Sequence, residues 1–244
     1  MPHRAQDSLI ESHLHQWESD KMSRKMHEDV ASDYSPIITI SRQAGSHGVE
    51  ISAMTATRLN YQLLDRTIVD TIAERASIRK SAVKTLDEKA SSVFENFLRE
   101  TIMPHVLTRS KYIEHLASVL VVAAEHGKAV IAGRGANFIL RTFPLFRVRI
   151  VCPLKVRVER FAELKQMTLK DAEVRVKKSD ANRAAFIRSY FQADINETTN
   201  YDLMLNSEKV DIEQASGIIV EAYKVAFPLR GKNHEEAENR EPEK

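Results

Sequence analysis

Residues 38–51 read Ile-Thr-Ile-Ser-Arg-Gln-Ala-Gly-Ser-His-Gly-Val-Glu-Ile. The β-branched run Ile37–Ile40 has the composition of a buried strand. Gly45 and Gly48 mark a turn, and Ile51, Met54, Thr55 and Arg58 then step along a helix over Glu50–Leu59. A strand that feeds a helix through a glycine turn needs neighbours on both sides of the strand, which points to an α/β sheet. The turn also has the layout of an anion cradle. Glycines let backbone N–H groups close round phosphate oxygens, and the helix N-terminus adds partial positive charge. The full pattern for such a loop is G-x-x-x-x-G-K-[ST]. Counted without gaps, Arg42 stands at the first glycine, His47 at the second, Gly48 at the lysine and Val49 at the Ser/Thr. The lysine is absent. Two glycines between a strand and a helix fit an ordinary α/β turn as well as a phosphate loop.

Further strands are expected at Tyr61–Leu64, Ala129–Gly133, Phe146–Cys152 and Tyr201–Leu205. The Phe146–Cys152 run alternates, which leaves Arg147 and Arg149 on one face and predicts a less fully covered strand. Pro153 opens a helix to about Gln166, Thr168 with Asp171 resembles a capping box, and Asp211 caps a last helix to about Phe227. Short strands alternating with helices predict a three-layer α/β domain with a mainly parallel sheet over 36–228. Residues 67–127 read as a helical insertion, with Ile113, Leu116 and Leu120 at helical spacing. Residues 1–35 carry Ile10, Leu14, Trp17, Met22, Met26 and Val30 at spacings of an amphipathic helix. That arm either packs on the domain or makes a homodimer contact. Residues 229–244 are charged, poor in apolar side chains and expected to be disordered.

In such sheets ligands sit beyond the carboxyl ends of the strands. Ser41–Gly48, Asp65-Arg66 and Gly133-Arg134-Gly135 all fall there. Lys+Arg 36 against Asp+Glu 34 leaves a net charge of +2, so no global charge favours nucleic acid or an anionic membrane. No stretch approaches the roughly 20 apolar residues of a membrane span. The N-terminal residues lack a signal peptide's apolar core, so a cytoplasmic location is expected. The one cysteine, Cys152, ends an apolar run and reads as a core thiol. No histidine or cysteine spacing suits a bound metal.

Arg42-x-x-Gly45-Ser46-x-Gly48, Asp65-Arg66, Gly133-Arg134-Gly135, Asp180-x-x-Arg183 and Tyr201-Asp202-Leu203 occur in this order. Together they resemble the cytidylate kinase-like family, P-loop proteins related to the nucleoside monophosphate kinases, over roughly residues 37–225. Many members of that branch share the Ser-Arg-x-x-Gly-Ser-x-Gly loop without the lysine. His47, where a glycine is usual, and Val49, where an arginine is common, depart from the pattern.

The resemblance implies that Gly45, Ser46, His47 and Gly48 hold the ATP phosphates through backbone N–H groups. Arg42 is the nearest cation to stand in for the lysine, or else an ordinary salt-bridge partner. Asp65 orients Mg²⁺-bound water or an arginine, or caps the next helix. Arg66 and Arg134 reach the monophosphate. Asp180 binds the substrate sugar and Arg183 the phosphates, unless the two simply pair at helical spacing. Arg175 lies in the lid region with Lys177 and Lys178. Gly135 replaces the aspartate of the family's Gly-Arg-Asp, which leaves cytosine specificity open. The expected activity is Mg²⁺-ATP-dependent phosphoryl transfer to a nucleoside monophosphate, CMP or dCMP first. The rivals are a nucleotide-binding regulatory protein that kept the fold, and a kinase for another small acceptor.

Overall fold

The computed structural model describes residues 36–67, 69–70 and 111–228. The expected N-terminal arm, the charged tail and most of the helical insertion lie outside these residues. Five strands form one wholly parallel sheet: β1 (Ile37–Arg42), β2 (Gln62–Leu64), β3 (Ala129–Ala132), β4 (Leu145–Val151) and β5 (Leu203–Asn206), in the spatial order β2-β3-β1-β4-β5. The helices are α1 (Gly48–Leu59), α2 (Lys111–His126), α3 (Ala136–Ile139), α4 (Leu154–Lys165), α5 (Leu169–Phe191) and α6 (Ile212–Ala226).

β1 is central because both its faces are covered. Ile38 and Ile40 join Val130, Phe146, Val148 and Ile150 against Ile51 of α1 and Ile219 of α6. On the opposite face Ile37 and Ile131 meet Leu116 and Leu120 of α2. These side chains are almost wholly removed from water, and each contributes about 1.5–3 kcal/mol by burial. Residues 116–124 of α2 are all buried, so the end of the insertion belongs to the core. Among the described residues no helix is long and apolar enough to cross a membrane.

Two strand boundaries differ from the sequence reading by two residues, and the other differences are of one residue. β1 runs two residues past its apolar segment, because Ser41 and Arg42 pair in register with Arg149 and Ile150 of β4. β5 begins at Leu203, and Tyr201 instead closes a 3-10 turn, its hydroxyl donating to the Ile195 carbonyl at 2.8 Å. The expectation of a poorly covered β4 holds only at Arg147, which pairs with Asp202 at 2.6 Å. Arg149 is buried beneath the segment carrying Asn196 and Tyr201.

The connection from β1 leads to β2 on one side of the sheet, and that from β4 leads to β5 on the other. The crevice between their carboxyl ends is a topological switch point. It is where the glycine loop lies.

Candidate phosphate-binding site

The loop between β1 and α1 is clamped from beneath. Ala44 N–H donates to Asp180 Oδ1 at 2.8 Å, and Arg157 Nη1 donates to the Ala44 carbonyl at 3.0 Å. Ser46 Oγ donates to the Gln43 carbonyl at 2.9 Å, and Ser207 Oγ to the Ser46 carbonyl at 2.9 Å. The Gln43 side chain accepts from Cys152 N–H at 2.9 Å. None of these bonds uses the N–H of Gly45, Ser46, His47 or Gly48. Gly45 has φ +76°, and a Cβ there would run into the Arg157 carbonyl oxygen, so only glycine fits.

His47 sits at φ 55° at the N-cap of α1, a left-handed conformation that costs a non-glycine residue about 1–3 kcal/mol. Its side chain makes no capping bond. The first turn of α1 therefore keeps its N–H donors for an incoming group, which is the arrangement of a helix-terminal anion site.

The course of Arg42 explains why the lysine position is a glycine. A Cβ added at Gly48 would collide with Arg42 Cβ and lie 2.6 Å from its Cγ. At the far end of the same side chain, a Cβ added at Gly133 (φ +94°) would collide with Arg42 Nη1. Arg42 thus reaches from the α1 N-terminus across to the turn after β3, through space that a side chain at position 48 would occupy. Its Nε is buried without a hydrogen-bond partner. Burial, with Arg183 second, pushes the Arg42 guanidinium down to about 10, and Asp65 pulls the other way. The group is cationic at neutral pH yet poorly compensated.

Arg183 of α5 donates to the Arg42 carbonyl at 2.9 Å and to Asp180 Oδ1 at 3.4 Å. Burial pushes its guanidinium below the ordinary arginine value, against the pull of Asp180. Arg134 forms an ion pair with Asp70, which also accepts from Tyr112 at 2.9 Å and faces Arg66 Nε at 3.7 Å. Arg42, Arg66, Arg134 and Arg183 all line one cleft of about 270 Å³. Asp65 is half-buried at the end of β2.

Asp180 faces the loop rather than an open pocket. Besides Ala44 and Arg183 it pairs with Arg157 at 2.6 Å, so its carboxylate already serves three donors. Arg175 is exposed on α5 and is not among the residues that line the cleft.

Two arginines of this region escaped the sequence reading. Arg157 of α4 is turned inward: its Nε donates to the Cys152 carbonyl at 2.8 Å and it is 6% exposed. Arg149 donates to Ser41 Oγ at 2.7 Å and to Asn196 Oδ1 at 3.1 Å, and it lines a second cavity of about 220 Å³ beside Arg42 and Arg183. The available signal was a guanidinium inside an otherwise apolar strand, which needs a buried partner or an anion.

A family model described as the cytidylate kinase-like family matches residues 37–209, most of the chain. The chain belongs to the cytidylate kinase-like family. A cytidylate kinase of Pyrococcus horikoshii is 29% identical over 100 residues, covering 41% of this chain and 51% of that protein. A cytidylate kinase of Natronomonas pharaonis is 25% identical over 107 residues, covering 44% and 56%. The chain spans about half the length of the curated relatives it matches. An uncharacterized protein of Eubacterium ventriosum shares the fold with a TM-score of 0.63, at 24% identity over 78% of this chain and 99% of that one. In this family member the glycine loop and the arginine cleft adjoin through Arg42, which borders both.

Proposed function

We propose that the chain transfers the terminal phosphoryl group of ATP to a nucleoside monophosphate, with CMP and dCMP as the first acceptors to test. The observation that carries this reading is the course of Arg42 from the lysine position of the loop to Gly133, beside Arg183. ATP phosphates lie against the open N–H groups of the loop and the α1 N-terminus. The acceptor's phosphate lies in the cleft among Arg66, Arg134 and Arg183. A monophosphate oxygen is already a competent nucleophile and needs no strong general base. The chain's work is then in-line positioning and neutralisation of charge on the transferred group. Arg42, between donor and acceptor, supplies the central positive charge.

Among the described residues no group of three His, Cys, Asp or Glu side chains stands ready for a metal, and Val49 offers no hydroxyl where such loops carry Ser or Thr. The donors present fit Mg²⁺ that arrives with ATP, held by phosphate oxygens and water with Asp65 as the nearby carboxylate. Bound in that way it supplies further charge neutralisation at the phosphates.

A second reading, a nucleotide-binding regulatory protein, is favoured by the pairing of Arg134 with Asp70. The third, a kinase for another small acceptor, draws on Gly135. One experiment separates them: incubation with Mg-ATP and a panel of nucleoside and sugar monophosphates, with chromatographic detection of product. Diphosphate formed from CMP or dCMP supports the proposal. ATP binding without product from any acceptor supports the regulatory reading. Neither binding nor product defeats all three.

A further inference from the structure

The arginine cleft is lined by two buried, uncharged polar groups that the fold leaves without partners. Thr39 lies three residues back along β1 from Arg42, about 10 Å deeper into the sheet. Its residue is 2% exposed, and its Oγ1 makes no hydrogen bond. Asn137, in the first turn of α3, is 8% exposed, and its Nδ2 likewise has no partner. Both line the cleft. A buried hydroxyl or amide with no partner lowers the stability of the free protein. Such a pair in the lining of an open cleft is placed for a ligand that satisfies both.

The cleft also has an apolar, partly aromatic patch on α5, next to the polar Ser179, Asn182 and Arg183 of the same helix. Phe186 and Ile187 of α5 line the cleft, and Phe186 packs edge-on to Phe191, their ring centroids 6.0 Å apart. Position 135 holds no side chain for a physical reason: a Cβ there would lie 2.7 Å from Phe191 Cε2 and 3.2 Å from Ile187 Cδ1.

We propose that Thr39 and Asn137 are specificity-determining residues that hydrogen-bond the edge of a planar, uncharged heteroaromatic group, a nucleobase, carried by the acceptor whose phosphate sits among the arginines. The inference rests on the reading of the cleft as the acceptor site. An apolar, partly aromatic patch in the same cleft as two unpaired polar atoms suits a ring with a donor–acceptor edge.

The test is calorimetric binding of CMP, dCMP, UMP, AMP and ribose 5-phosphate to the full chain and to Thr39→Val, Thr39→Ser and Asn137→Leu. The wild type is expected to bind at least one nucleotide tenfold or more tightly than ribose 5-phosphate, which carries the phosphate but no base. Thr39→Val and Asn137→Leu abolish that preference while leaving ribose 5-phosphate affinity unchanged, and Thr39→Ser retains it. Thermal midpoints of the free Val and Leu variants stay equal to that of the wild type or rise, whereas a purely structural role lowers them. Equal binding of ribose 5-phosphate and the nucleotides, wild-type preference in both variants, or no binding by any compound overturns the inference. Failure of the transfer reading appears separately, as this binding pattern without diphosphate formation.

Discussion

Arg42 occupies two positions of the phosphate loop at once. Its backbone extends β1 and accepts from Arg183, while its side chain fills the space beside Gly48 that a lysine would need. The missing lysine is plain in the sequence, and Arg42 is the nearest cation to it. The direction of the side chain was not legible, because it depends on Gly133, which is 91 residues away and brought alongside only by the β1–β3 ladder. The state of its charge gives a pH prediction. In the free protein the guanidinium is held near 10, chiefly by burial and then by Arg183. Bound phosphate favours the charged form, so the complex keeps a proton that the free site loses as pH rises past that value. ATP affinity is therefore expected to be flat between pH 8 and 9 and to fall above about pH 10, approaching tenfold per pH unit. Titration calorimetry of wild type and Arg42→Ala checks this: the variant binds more weakly and lacks the fall. The sign for folding is opposite. The unfolded arginine titrates near its ordinary value, so the burial penalty of the cation is present at neutral pH and is relieved above about pH 10.

At the scale of elements, the loop depends on two helices remote from it in sequence. α5, 23 residues and about 34 Å long, carries Asp180 beneath Ala44, and α4 carries Arg157 beneath both. The start of α5 was legible, since Thr168 caps it by accepting from Asp171 N–H at 3.1 Å. The reciprocal half of the expected capping box is replaced by the Thr168 hydroxyl donating to Asp171 Oδ2 at 2.7 Å. At α6 the box is complete, between Asp211 and Gln214. That Asp180 meets Ala44, 136 residues away, was not legible, because spacing along a helix defines its faces but not what packs on them. Asp180→Ala leaves the Arg157 cation buried without its carboxylate and frees the Ala44 N–H. The expected cost is about 3 kcal/mol in urea unfolding, with weaker ATP binding. A loss below about 0.5 kcal/mol would show that the clamp is dispensable.

Over the whole molecule, apolar runs identified the five strands, and their alternation with helices identified a parallel sheet. The spatial order β2-β3-β1-β4-β5 is what brings the glycine loop, Arg66, Gly133-Arg134-Gly135 and Arg183 to one cleft, while Asp202 pairs with Arg147 and lines a different cavity. The near-neutral total charge concealed this, because the balance is local. Arg42, Arg66, Arg134, Arg149 and Arg183 gather at one end of the sheet in a chain whose net charge is only +2. Such crowding is unfavourable in the free protein, and under the proposed function bound polyphosphate offsets it. The most direct test of the account is single-turnover transfer from Mg-ATP to CMP by wild type and Arg42→Ala, both at saturating substrates, with circular dichroism to verify that the fold survives. The account predicts diphosphate formation by the wild type and a loss of about 100-fold or more in the variant. Wild-type turnover by a folded Arg42→Ala protein would contradict it.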